Sequence, residues 1–182
     1  MKNKFQTPLS VFVLYDKENP DGDNIFDDVY HLLCRNANRP LTDGLDIPVY
    51  FRTNNDKGQI PDIDFETSQN IAVLLLIDEC MYCNEDIWRA YIEPLVRLSE
   101  EQGNIKIYAV SLFKYATDFS KLLNNAQFIV LPDFNLKKCW TEFQIRIFDC
   151  LIRQLKGDSE KIKLFISHSK KDEDKMGVTK AE

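Results

Sequence analysis

The chain has 182 residues, 44% hydrophobic and 29% charged, with a formal net charge of -6. That is enough apolar material for one sizeable core, and the negative balance argues against a nucleic-acid surface built on broad phosphate neutralisation. The longest apolar run, Ile71 to Ile77, is far shorter than the roughly 20 residues that span a bilayer, and the N-terminus MKNKFQTPLS lacks the apolar core of a signal peptide. The expected partner is therefore a protein or a small molecule, and the expected compartment is the cytoplasm. Five scattered cysteines, an odd number, fit reduced thiols there better than a disulfide framework.

In chain order, Ser10 to Tyr15 (SVFVLY) predicts a buried first strand ending at Asp16. The polar loop DKENPDGDN follows, with Asp23 or Asn24 as the expected cap of a helix from Ile25 to Asn36. Ile47 to Thr53 predicts a second strand, placed at a sheet edge by Pro48. Asn54 to Glu66 is polar, holds Gly58 and Pro61, and is expected as a surface excursion. Ile71 to Ile77 (IAVLLLI) predicts a central strand, ending in Asp78 and Glu79. The apolar spacing from Glu85 to Leu98 predicts a helix that Pro94 should kink or divide. Asn104 to Leu112 and Gln127 to Leu131 predict the fourth and fifth strands, with a short helix near Asp118 to Leu123 between them. Lys137 to Leu155 predicts a long last helix with a stripe of Trp140, Phe143, Ile147, Leu151 and Leu155, stopped by Gly157.

Strands alternating with helical crossovers imply an α/β fold: an open parallel five-stranded sheet with helices on both faces, in the flavodoxin-like order 2-1-3-4-5. In such sheets ligands bind beyond the strand C-termini, where this chain carries Tyr15, Asp16, Lys17, Asp78 and Glu79. Tyr15, Asp16 and Asp78 are the candidate binding rim. The loop after the first strand has one glycine, so neither a dinucleotide fingerprint nor a P-loop is present. Asp16, Asp78 and Glu79 read either as a receiver-like magnesium pocket or as solvated strand ends, and the plainer second reading assigns no metal and no cofactor. Cys80 and Cys83 form a CxxC without a second ligand pair, which reads as two unpaired thiols. His31 and His168 have no nucleophile that sequence alone pairs with them.

A last motif stands apart. Lys161 to Asp174 reads KIKLFISHSKKDED: an apolar run, then Ser167, His168 and Ser169, then dense charge. This resembles the opening strand and loop of a Toll/interleukin receptor (TIR) domain, where a hydrophobic strand ends in F-[IV]-S-[HY]-[SA]; Phe165, Ile166, Ser167, His168 and Ser169 carry the match. The resemblance implies the same flavodoxin-like fold for residues 1–156, with residues 157–182 as linker and first strand of a second, truncated TIR domain. The alternative is a sixth edge strand of the first sheet. Members that cleave NAD carry a glutamate in W-C-x-x-E. Here Trp88 is followed by Glu93 at five residues rather than four, and Ile92 takes the glutamate's position. One residue turns a helix by about 100°, so Glu93 is the one catalytic candidate and an off-register one. The resemblance implies a cytosolic interaction module of a signalling, immune-type or bacterial defence protein, which associates with itself or with other TIR domains and binds neither nucleic acid nor membrane. The alternative it implies is an NAD glycohydrolase using Glu93, with NAD as substrate.

Overall fold

All five apolar runs form strands: β1 (Thr7–Leu14), β2 (Val49–Arg52), β3 (Ser68–Ile77), β4 (Ile105–Ser111) and β5 (Gln127–Val130). The computed structural model describes residues 6–36, 38, 44–119, 123 and 126–156. The strands pair in parallel in the order β2-β1-β3-β4-β5, an α/β arrangement of flavodoxin-like order. The TIR-like stretch Leu164 to Ser169, His168 included, and the linker before it lie outside the described residues.

Burial explains the order. Residues 9–14 of β1 and 71–77 of β3 are buried without a break, as parallel strands covered on both faces must be. The edge strand β2 is short, and its only fully buried residue is Val49. Pro48 precedes it and supplies only a carbonyl, which accepts from the Val11 N–H at 2.9 Å.

Among the described residues, four α-helices cover the sheet: α1 (Gly22–Leu33), α2 (Glu79–Cys83), α3 (Glu85–Glu101) and α4 (Trp140–Lys156). Because strand side chains alternate, Val11, Val13, Leu74 and Leu76 pack with α1 and α4 on one face. Phe12, Leu14, Val73, Leu75 and Ile77 pack with α3 on the other. Along α4, Phe143, Ile147, Cys150 and Leu151 form the buried stripe. Leu155, expected to continue it, is exposed one turn further on.

Several expectations are corrected. α1 starts three residues before the expected Ile25 and ends at Leu33, not Asn36, because Cys34 turns to extended backbone. Pro94 does not divide α3, which runs unbroken through it. Pro94 and Ala90 are both exposed, so the carbonyl four residues before the proline, left without its usual donor, faces water. The helix expected at 118–123 lies largely outside the described residues, and a 3-10 turn is described at Ala116–Asp118. The α2 turn was not foreseen. The segment 54–66 is not a plain surface excursion, because Ile63 is buried against the α3 face with Ile60 and Phe65 beside it. The Tyr91 hydroxyl pins it by donating to the Pro61 carbonyl at 2.8 Å.

Candidate functional site

The strand C-termini bring Tyr15, Asp16 and Asp78 to one rim, as expected, but neither aspartate is a solvated strand end. Asp16 is fully buried. Its Oδ2 accepts from Trp88 Nε1 at 2.8 Å, Asn84 Nδ2 at 2.9 Å and Asn54 Nδ2 at 3.2 Å. Its Oδ1 accepts from the Glu18 N–H at 3.0 Å. A carboxylate offers about two acceptor positions on each oxygen, so Oδ2 is fully engaged by its three side-chain donors while Oδ1 holds one backbone donor. Asn54 is itself held, its Oδ1 accepting from the Lys17 N–H at 2.9 Å. The carboxylate thus ties the end of β1 to the segment after β2, to the α2–α3 junction and to α3. Among the described residues no group of three or more His, Cys, Asp or Glu is placed to hold a metal ion.

Tyr15 closes the same corner from the other face. Its hydroxyl donates to Asp23 Oδ1 at 2.6 Å, and burial, then that acidic partner, push the phenol well above its ordinary range. The ring lies against the first turn of α1, where a Cβ on Gly22 would come within 2.3 Å of it. The absence of a side chain at Gly22 makes room for the ring there.

Asp78 behaves differently. It is buried at the end of β3 and caps α2, its Oδ1 accepting from the Met81 N–H at 2.8 Å, a standard use of aspartate before a helix. Burial raises its carboxyl above the usual range. Beside it opens a cleft of about 390 Å³. Its walls are the Asn19–Asp21 loop, residues 78–80, Leu112 and Phe113, and the Phe134–Lys137 segment. Lys137 forms an ion pair with Asp21. Asn19 is 8% exposed; its Oδ1 accepts from the Asp21 N–H at 2.9 Å, while its Nδ2 has no partner among the described residues.

The cysteines are free thiols. Cys80 donates to the Glu18 carbonyl at 3.4 Å, and burial, then the neighbouring Asp78, push it up to about 11. That is the reverse of what a reactive thiol needs.

Glu93 stands away from this rim. It lies eight residues into α3, roughly 12 Å along the axis at about 1.5 Å per residue. Its side chain is 41% exposed and ion-paired with Arg97. Ile92 is buried in the core beneath it, and Trp88 is buried with its indole committed to Asp16. His31 sits in the last turn of α1, its Nδ1 2.7 Å from the Asp27 carbonyl. The geometry therefore unites Tyr15, Asp16 and Asp78 and leaves Glu93 and His31 elsewhere.

Sequence reasoning missed Asn54, Asn84 and Asn19, and took Trp88 as an apolar helix position and as the tryptophan of the W-C-x-x-E comparison, not as a donor to Asp16. The available signal was an indole and two amides flanking apolar runs, each a donor that needs an acceptor once buried. Comparison with protein-family models, curated proteins and solved structures found no match.

Proposed function

We propose that this domain is a TIR-like protein-interaction module of a signalling or defence protein, acting by association with further copies of itself or with other TIR-like domains. The observation that carries the reading is the aromatic edge formed by β2 and α1. Phe51 is 48% exposed, with Tyr30 of α1 exposed on the same face, while the exposed Tyr50 stacks on Phe12 on the opposite face of the strand. Phe51 packs edge-on to Phe26 with centroids 5.1 Å apart, and Phe26 leans on Tyr30 at 6.0 Å. Rigid aromatics of this kind are the residues that anchor protein interfaces.

The edge is also guarded against indiscriminate strand addition. Arg52 Nη1 donates to the Phe51 carbonyl at 2.7 Å, occupying an edge acceptor that a foreign strand would need. Association then runs through the aromatic side chains rather than through backbone pairing. The burial of Asp16 among four donors and the Glu93–Arg97 pair fit a module in which these acids serve the scaffold.

Light scattering on the purified chain across a concentration series tests the reading. Concentration-dependent association that Phe51→Ser weakens at least about tenfold, as loss of an anchor would, supports it. Sustained nicotinamide release from NAD that vanishes in Glu93→Ala would replace it with the glycohydrolase reading.

A further inference from the structure

Helices α3 and α4 are equally long, at 17 residues, and their outer faces are built differently. On α3 the outer turns carry Glu85, Arg89, Glu93 and Arg97, joined as two ion pairs along the helix. That is a face made for water. α4 has such pairs too, Glu142 with Arg146 and Asp149 with Arg153, but they fill only one flank of it.

Beside that flank runs a second apolar stripe. Ile145 is 65% exposed, the most of any large hydrophobic side chain among the described residues, and Leu155 is 46% exposed. Phe148 and Ile152 between them are half-buried. At about 100° per residue, steps of three, four and three residues hold these four side chains within about 80° of arc. The arc is centred more than a right angle away from the buried stripe of Phe143, Ile147, Cys150 and Leu151. The sheet therefore leaves these side chains uncovered, apart from Phe148, which is partly packed against the core. Steps of three and four residues are the spacing at which one helix packs on another.

Charge at the two ends of the helix selects the partner. Glu142 borders the stripe in the first turn of α4, and Lys156 is exposed in its last turn. They lie about four turns apart on the same flank, at about 3.6 residues per turn. A second copy of α4 laid antiparallel across the stripe sets Ile145 against Leu155, Phe148 against Ile152 and Glu142 against Lys156, each contact made twice about a two-fold axis. Opposed helix dipoles favour the same orientation. The face is thus complementary to itself in both shape and charge. We propose that α4 is the seam of an antiparallel two-fold dimer of this chain, packed through Ile145, Phe148, Ile152 and Leu155. The seam is separate from the aromatic edge of β2 and α1 and does not depend on it. A chain using both contacts would assemble beyond the dimer.

Sedimentation equilibrium of the full chain carrying Phe51→Ser, which silences the aromatic edge, reads this contact alone. A monomer–dimer equilibrium is expected. Ile145→Lys, at an exposed position where circular dichroism should show the fold intact, should weaken the dimer at least about tenfold, the effect of losing an interface anchor. Glu142→Lys should weaken it about fivefold by setting like charges together twice. Adding Lys156→Glu should restore most of that loss, because the reversed pair attracts again, and such recovery separates pairing between copies from a structural role of either charge. A Phe51→Ser chain still monomeric at about 1 mM overturns the proposal and leaves the aromatic-edge reading standing. Unchanged dimerisation in Ile145→Lys overturns it as well, as does a double variant that dimerises no more tightly than Glu142→Lys alone. A monomer that Ile145→Lys destabilises in thermal unfolding would mean that the stripe is covered within the chain itself, which also overturns it.

Discussion

Asp16 and Asp78 close neighbouring strands of one sheet, and their surroundings treat them in opposite ways. Asp16 collects two side-chain amides, an indole and a backbone N–H. Asp78 accepts from the Met81 N–H of the short helix it begins, beside a cleft with an unpaired amide in its wall. One residue type at one topological position thus builds a closed, load-carrying corner on the β2 side and an open pocket on the β4 side. The difference lies in the donors that converge, not in the acid.

The largest consequence is for stability. Asp16→Ala would strand two buried side-chain donors, Trp88 and Asn54, and the half-buried Asn84 amide, and each unsatisfied buried group costs roughly 1–3 kcal/mol, so a loss of about 3–5 kcal/mol is expected after partial relaxation. Urea denaturation measures it, and a loss below about 1 kcal/mol would mean the corner is not held by this carboxylate. Trp88→Phe removes one of the donors and leaves the others in place. It should cost about 1–2 kcal/mol, including the smaller ring's lost packing, and its effect should be much reduced in an Asp16→Ala background, because neighbours in one network are not additive.

Asp78 should show the smallest effect, and a pH-dependent one. Burial raises the folded carboxyl above its ordinary value of 3.8. The folded state then keeps its proton to higher pH than the unfolded chain does. Its contribution to stability therefore falls as pH rises from 3.8 through the raised folded value, and the penalty is complete above that. Asn is an equally good helix cap and does not titrate. Asp78→Asn should gain stability relative to the parent as pH rises through that window and hold a constant difference above it. Thermal unfolding at stepped pH reads this directly, and a difference that does not change with pH would sink the assignment.

Much of the fold was legible because its signals are local. The unbroken apolar run at 71–77 could only be a strand covered twice, and Pro48 marked an edge; both stand where they were expected. The failures share a cause. Pro94 was expected to kink or divide its helix, and the helix is not divided, because at an exposed position solvent can serve the carbonyl the proline leaves unpaired. The segment 54–66 was expected at the surface on its polarity, yet three apolar side chains spaced along it are enough to fold it onto the core.

The candidate site was legible only as a set of residues. Strand ends placed Tyr15, Asp16 and Asp78 on one rim, since strand length and order follow from patterns of period two and from burial. Whether each acid would be solvated, engaged by donors or set beside a cleft depends on groups far away in sequence. Asn54, Asn84 and Trp88 reach Asp16 across 38, 68 and 72 positions. Hydrophobic periodicity, written in neighbouring residues, determined the sheet and its helices. Hydrogen-bond convergence exists only after those elements are packed, and so the tertiary structure alone decided which aspartate became a strut and which one borders an open pocket.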